Sequence, residues 1–220
     1  MGTSTPATAS EREFDMDALK DWIVQRSKPL SIGGGAVVVV VAAVLFWQQS
    51  NRIKNERADA ALNTGQSAFY SGNTALAKSD LEKVWTRYPG TAGGTQATML
   101  LAQIAYGEGR YDDGIKLLTA AQGGAPAQFS AAMEELIAAG HADAKRYTDA
   151  ASHYLKAAAL APFAADKELY RAEAARMYGV GGKTAEARKL WAELAANRES
   201  PVLNEAKVRL GEIDAKVASK

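Results

Sequence analysis

The chain has 220 residues, which is enough for one substantial domain and a membrane anchor but too few for several large domains. Its 26 basic residues are nearly balanced by 25 acidic residues, so no surplus of positive charge is available to bind the phosphates of a nucleic acid. The absence of cysteine excludes disulfide bonds, thiol nucleophiles and cysteine-ligated metals.

Two elements are predicted before the first apolar run. Residues 1–12 are mostly small and polar, which favours disorder. Residues 13–28 are predicted to form an amphipathic juxtamembrane helix that lies against the lipid headgroups and ends at Pro29. A helix that docks on a partner protein remains the alternative. The apolar residues at helical spacing are Phe14, Ala18, Leu19, Trp22 and Ile23.

An uncharged run of 18 residues occupies positions 30–47, with Ser31 as its only polar side chain. As a helix it would span roughly 27 Å, which is close to the hydrocarbon thickness of a bilayer. A buried strand usually has only about 4–8 residues, and no second run of this kind is present to pair with it. We therefore expect a single transmembrane helix.

A cleaved signal peptide is the main alternative to this anchor. The preceding segment is long and carries five acidic residues, and no small-x-small cleavage site closely follows Trp47. Both features favour an uncleaved anchor. Four basic residues precede the run and three follow it in the connector 48–57, so flanking charge gives only a slight preference for a cytoplasmic N-terminus.

Residues 58–201 contain four copies of one pattern, offset by 37, 36 and 37 residues. The pattern resembles the tetratricopeptide repeat (TPR), a helix–turn–helix unit of about 34 residues. The predicted repeats cover about 58–91, 95–128, 131–164 and 168–201. Each has a small residue in its first helix (Gly65, Ala102, Ala138, Ala175), a turn residue (Gly72, Gly109, Lys145, Gly182), a small residue early in its second helix (Ala77, Gly114, Ala150, Ala187) and then a large one (Leu81, Leu118, Tyr154, Trp191).

These positions predict how the two helices of a repeat pack together. Small residues let the helices approach closely, and the large residue fills the space that remains between them. Tyr147, Tyr154, Tyr178 and Trp191 are therefore predicted to be core residues. Residues 202–217 carry apolar residues on one face and are predicted to cap the exposed end of the repeats. The predicted fold class is thus all-α: a transmembrane helix, a TPR-like α-solenoid and a C-terminal capping helix.

The sequence offers no candidate catalytic, cofactor-binding or metal-binding residues. His141 and His153 are the only histidines, and they fall on different predicted helices of the third repeat. His141 takes a position where a packing side chain is expected, which favours a structural role. The glycines 107, 109 and 114 lack the spacing of a phosphate-binding loop. We therefore do not expect an enzyme.

Residues on the first helices of TPR units line the concave surface, where a protein or peptide would bind. Aromatic and amide side chains there suit a protein ligand, because aromatic anchors supply much of the binding energy at interfaces. Some of these residues could instead be covered by the tail or a neighbouring repeat. The candidate residues are Asp59, Leu62, Gln66, Phe69 and Tyr70 in the first repeat, Gln96, Met99, Gln103 and Tyr106 in the second, Glu135 in the third and Arg176 in the fourth.

Some TPR domains bind a C-terminal carboxylate with Lys and Asn at fixed positions of the groove. In this chain those positions hold Leu62, Gln66, Met99 and Gln103, so that carboxylate clamp is absent.

The order of parts resembles that of the bacterial YfgM-like proteins, the ancillary subunits of the SecYEG translocon. The matching features are an acidic amphipathic start, a Gly/Val-rich span ending in Trp, a polar basic stretch and divergent repeats, over residues 11–220.

This resemblance implies a bacterial inner-membrane protein with a cytoplasmic N-terminus, periplasmic repeats, and the translocon and periplasmic chaperones as partners. It implies no catalytic residues. Two other functions remain open: a scaffold for another envelope assembly, such as cell division or outer-membrane biogenesis, and a structural subunit of a larger membrane complex.

Overall fold

The structure is a computed structural model, which describes the backbone of residues 16–219 and side chains at residue 37 and from residue 39 to residue 219. The chain divides into two compact units, residues 1–51 and 52–220. The segment 1–12, predicted to be disordered, lies outside the described residues, as do the side chains of the predicted amphipathic helix 13–28.

Helix α1 (Met16–Tyr70) has no break at Pro29, so the helix end expected there is corrected. The fixed φ of proline is close to the helical value, so a helix can continue through it at a cost of roughly 3 kcal/mol, from one lost hydrogen bond and a clash with the carbonyl four residues earlier. Residues 48–57, the predicted connector, also belong to α1. Of the predicted transmembrane segment, the side chains of residues 30–36 and 38 lie outside the described residues.

Among the residues that the structure describes, no helix combines the length and the apolar character needed to cross a membrane.

The second unit is built from helix pairs, and residues 16–219 contain no strand. The end of α1 pairs with α2, and three further pairs and a last single helix follow, which confirms the all-α TPR-like solenoid. A short 3₁₀ turn, Ala127–Phe129, precedes α5. The helices are α2 (Thr74–Arg87), α3 (Ala92–Gly107), α4 (Tyr111–Gln122), α5 (Ser130–Asp143), α6 (Tyr147–Leu160), α7 (Ala164–Val180), α8 (Thr184–Ala196) and α9 (Leu203–Ala218).

Side-chain caps mark where two of these helices begin. The Oδ1 atom of Asn73 accepts a hydrogen bond from the backbone N–H of Leu76 at 3.2 Å, at the start of α2. At the start of α3, Oγ1 of Thr91 accepts from the N–H of Gly94 at 3.0 Å. Each bond satisfies one of the backbone donors that the first turn of a helix leaves without an intrahelical partner.

The turn between the two helices of each repeat has the same geometry four times. Its central residue has a positive φ of 77° at Gly72, 75° at Gly109, 60° at Lys145 and 76° at Gly182. The next N–H reaches back five residues to a carbonyl of the first helix, as in the bond of 2.8 Å from Arg146 to His141. This pattern is typical of a helix that ends in a left-handed residue, and three of the four repeats use glycine for it.

Small residues bring the paired helices together, as the sequence pattern predicted. Ala102, Ala138 and Ala175 are fully buried. Leu81, Leu118 and Trp191 fill the space between helices with at most 2% of their surface exposed. Tyr147, Tyr154 and Tyr178 are only half-buried, so of the four predicted core aromatics Trp191 alone is fully in the core.

The last helix, α9, continues the core of the fourth repeat. Val202 and Ala206 are buried in one apolar cluster with Trp191 and Leu194, and Ile213 packs against that cluster. Leaving this apolar end of the repeats uncovered would expose side chains that α8 cannot bury alone. Residues 203–218 therefore close the C-terminal end of the second unit.

Candidate protein-binding surface

One stripe of α3 is less buried than the rest of the helix. Gln96, Met99 and Gln103 are three and four residues apart, which puts them on one face. Gln103 is exposed and the other two are half-buried, whereas the residues between them, such as Ala97 and Leu100, are buried. The amide groups of this stripe are therefore accessible on the first helix of the second repeat.

The first repeat contributes exposed groups from the end of α1. Asp59 is exposed, Gln66 and Phe69 are half-buried, and Tyr70 has 77% of its surface exposed. The rings of Phe69 and Tyr70 meet edge to face, with centroids 5.4 Å apart and planes at 77°. An aromatic side chain held in place yet exposed to this extent is typical of an anchor for a protein partner.

Leu62 does not belong to this surface, and its predicted role as a groove residue is corrected. Only 4% of the residue is exposed, and it packs in the apolar cluster that contains Leu81 and Leu101. The reason is its place on α1, where it lies on the face that packs against the next helices. Removing this apolar side chain from water stabilises the first repeat.

Tyr106 is also corrected, because it packs between helices. Its hydroxyl donates a hydrogen bond to the backbone carbonyl of Leu136 at 3.2 Å, and its ring fills the space where Gly114 and Gly140 have no Cβ atom. Burial raises the pKa of the Tyr106 hydroxyl, and the charge of Asp143 raises it further. Tyr106 therefore connects α3, α4 and α5, and it is only half-buried.

Glu135 is exposed on α5, as expected, and it has a partner that the sequence pattern did not indicate. The hydroxyl of Tyr170, on α7, donates a hydrogen bond of 2.9 Å to Oε2 of Glu135. Burial, followed by this hydrogen bond, raises the pKa of Tyr170 to about 12. Because 35 residues separate the two side chains, only the packing of both helices against α6 brings them together.

Arg176 is held by ion pairs and does not present an isolated positive charge. Its Nε donates to Glu205 at 2.8 Å, and it also pairs with Glu173. The guanidinium lies 6.0 Å from the ring centroid of Trp191. The hydrogen bonds to Glu205 raise the pKa of Arg176 and lower that of Glu205. These contacts attach α9 to α7 at the edge of a cavity of about 550 Å³ between α7, α8 and α9.

The two histidines, which the sequence placed on different helices, lie in contact. The rings of His141 on α5 and His153 on α6 are stacked with centroids 5.1 Å apart. In the part of the chain that the structure describes, no group of three or more His, Cys, Asp or Glu residues is arranged to hold a metal ion.

TPR-like repeats typically serve as scaffolds that bind other proteins.

Comparisons with known proteins agree with this architecture. Among solved structures, the chain is similar to TPR-like repeats assigned to a kinesin light chain of Podosopora anserina, with 15% identity and a TM-score of 0.56 over 74% of this chain and 88% of that chain. A single-residue variant of the same protein gives the same values. At this identity the likeness shows the fold alone. No curated protein matches the sequence.

The family model that matches is the tetratricopeptide repeat-like domain, over residues 20–214. This range covers most of the chain, including all four repeats and most of α9. The chain therefore belongs to the tetratricopeptide repeat-like domain family.

Proposed function

We propose that this protein is a membrane-anchored TPR scaffold that binds a partner protein through the first helices of its repeats. The observation that supports this most directly is the accessible stripe on α3, whose exposed residue is Gln103. The exposed ring of Tyr70 and the exposed carboxylate of Glu135 supply further groups on α1 and α5. Amide, aromatic and acidic groups on successive helices suit an extended peptide or a protein surface.

Membrane anchoring is supported by the uncharged run 30–47 and by the exposure of its described side chains. Val39, Val40 and Leu45 each have more than half of their surface exposed, and Phe46 has 77% exposed. A contiguous apolar surface of this kind is unfavourable in water and is typical of a segment that contacts lipid or protein. The proposed location is the bacterial inner membrane, with a cytoplasmic N-terminus and periplasmic repeats.

The partner in this proposal is the SecYEG translocon, together with periplasmic chaperones that receive emerging chains. The support is the resemblance in the order of parts to YfgM-like proteins, and the family match supplies the tetratricopeptide repeat-like domain that such a scaffold needs. The test must therefore separate the translocon from other envelope assemblies.

Site-specific photo-crosslinking in cells tests both the surface and the partner. A photoreactive residue at Gln103 should form adducts with translocon subunits or periplasmic chaperones, because this side chain is exposed on the proposed surface. The matched control is Lys116, an exposed residue of α4 in the same repeat, where no such adducts are expected. Adducts with division or outer-membrane assembly proteins alone would reject the translocon and leave the scaffold in place. Equal adducts at both positions would reject the surface.

Protease treatment of spheroplasts tests the orientation. If the repeats face the periplasm, a protease added outside should degrade residues 52–220, while a cytoplasmic marker protein stays intact. Protection of the repeats until the membrane is lysed would place them in the cytoplasm and overturn the translocon assignment.

A paired substitution tests the anchor. Replacing both Val40 and Val41 with arginine should move the protein into the soluble fraction, because each arginine at the centre of a span costs about 2.5–3.5 kcal/mol. The control is Val180→Arg, at a position on α7 that is 62% exposed and belongs to the repeats. Retention of the double variant in the membrane after carbonate extraction would reject a spanning role for residues 30–47.

A further inference from the structure

The two histidines of the chain form a stacked pair between the helices of the third repeat. His141 and His153 have ring centroids 5.1 Å apart, and their planes differ by 15°. Their side chains are mostly buried, with 16% and 21% of their surfaces exposed. At this distance a positive charge on one ring disfavours a positive charge on the other.

A buried carboxylate connects this pair to the second repeat. Glu134, which is 8% exposed, accepts a hydrogen bond from Nδ1 of His153 at 2.6 Å. Its other oxygen accepts from Nε2 of Gln122, the last residue of α4, at 2.7 Å. One side chain of α5 thus joins α4 of the second repeat to α6 of the third.

The protonation state of His141 follows from its partner. Its Nδ1 lies 3.0 Å from Nε of Arg146. Because a guanidinium has only donors, Nδ1 must be the acceptor, and the neutral ring carries its hydrogen on Nε2. A second proton can therefore bind only at Nδ1, the atom that holds Arg146.

The charged groups around His141 come from α4, from α6 and from the turn before α6, and they oppose one another. Burial lowers the pKa of His141 most, followed by the charges of Arg146 and His153. Asp149 on α6, with Oδ2 3.9 Å from Nδ1, and Asp112 on α4 raise it. Asp112 also pairs with Arg146 at 2.6 Å, so Arg146 links the second repeat to His141.

We propose that the His141–His153 pair is a proton-sensitive contact that loosens the junction between the second and third repeats as the solution is acidified. Protonation at Nδ1 of His141 breaks the hydrogen bond from Arg146 and turns this acceptor into a donor, for which Asp149 is the nearest acidic partner. Arg146 then keeps its ion pair with Asp112 at the surface but no longer connects α4 to His141.

Nuclear magnetic resonance of the full-length chain can follow both rings, since only two imidazole Cε1–H signals exist and His141→Gln and His153→Gln assign them. We expect the His141 signal to titrate at a lower pH than a histidine in an unfolded peptide, and to shift toward the peptide value in His153→Gln. An unshifted His141 titration in both proteins would overturn the proposal.

Amide hydrogen exchange measures the loosening itself. After correction for the intrinsic effect of pH, exchange at the ends of α4 and α5 should rise roughly threefold or more between pH 7.5 and 5.5. In His141→Gln the amide oxygen can still accept from Arg146 but does not titrate, so this rise should be lost. An equal rise in both proteins would reject the contact as its cause.

A second variant keeps the test decisive if His141→Gln does not fold. Arg146→Gln removes the positive charge that faces Nδ1 and should move the His141 titration to higher pH. A titration that stays in place would show that Arg146 does not control the ring, which also overturns the proposal.

Discussion

Lys145 has the same left-handed backbone conformation as Gly109 of the preceding repeat, with φ of 60° against 75°. Both residues end the first helix of their repeat, and the following N–H makes the same bond to a carbonyl five residues back. A residue with a Cβ atom is less favourable than glycine in this conformation by roughly 1–2 kcal/mol. The third repeat therefore keeps the turn at an energetic cost that the other three avoid.

Lys145→Gly should stabilise the protein by about 0.5–1 kcal/mol. The gain is smaller than the full conformational cost, because glycine also raises the entropy of the unfolded chain. Chemical denaturation of the full-length chain measures the change. As a control, Lys189→Gly on the exposed face of α8 should destabilise by about 1 kcal/mol. A loss of stability in both variants would show that the φ of Lys145 carries no strain.

Gly65→Ala should destabilise the first repeat by about 1–3 kcal/mol. A Cβ atom at Gly65 would lie 2.7 Å from Cδ2 of Leu81 and 3.3 Å from its backbone nitrogen, so the buried Leu81 side chain or the two helices would have to shift. Gly179→Ala on α7 is the matched control, since nothing lies within 4 Å of its added methyl group. That variant should be neutral or stabilising by up to about 1 kcal/mol. Similar losses in both proteins would contradict close packing at Gly65.

Tyr106→Phe should cost about 0.5–1.5 kcal/mol, because the carbonyl of Leu136 loses its hydrogen-bond donor. The ring remains between Gly114 and Gly140, so the packing is retained. Tyr70→Phe, at a position 77% exposed, should change stability by less than about 0.5 kcal/mol. Thermal unfolding followed by circular dichroism compares the two. If Tyr106→Phe were neutral and also reduced partner binding, the tyrosine would belong to the binding surface after all.

Glu205→Gln should weaken the attachment of α9 and remove part of the loss of stability in acid. The hydrogen bond from Arg176 lowers the pKa of Glu205 below its ordinary 4.5. A lowered carboxyl pKa means that the stabilisation is complete above about 4.5 and disappears as the pH falls through the folded-state pKa. At pH 7 we expect a cost of about 1 kcal/mol, since the pair is partly exposed.

The measurement for Glu205→Gln is the free energy of unfolding at pH 7 and pH 3.5. The difference between wild type and variant should shrink at the lower pH. Glu82→Gln, at an exposed position of α2, serves as the control and should show no such convergence. A constant difference at both pH values would mean that the charge of Glu205 does not hold α9.

The pattern of the repeats could be predicted because its causes are local. A turn residue, a small residue five positions later and a large one after that act within one helix pair, so their spacing alone defines the pair. The exposure of the groove residues was harder to predict. Gln103 and Glu135 are exposed as expected, but Leu62 and Tyr106 are not, since a shift of one position on a helix changes which neighbour a side chain meets.

The sequence by itself determined the all-α class, the four helix pairs and their turns, because these depend on apolar spacing and on residues that tolerate a positive φ. The tertiary structure alone decided which distant side chains meet. The stacking of His141 on His153, the pair of Tyr170 with Glu135 and the ion pair of Arg176 with Glu205 each join separate helices. Such contacts depend on how helices cross, and no spacing along the chain encodes that geometry.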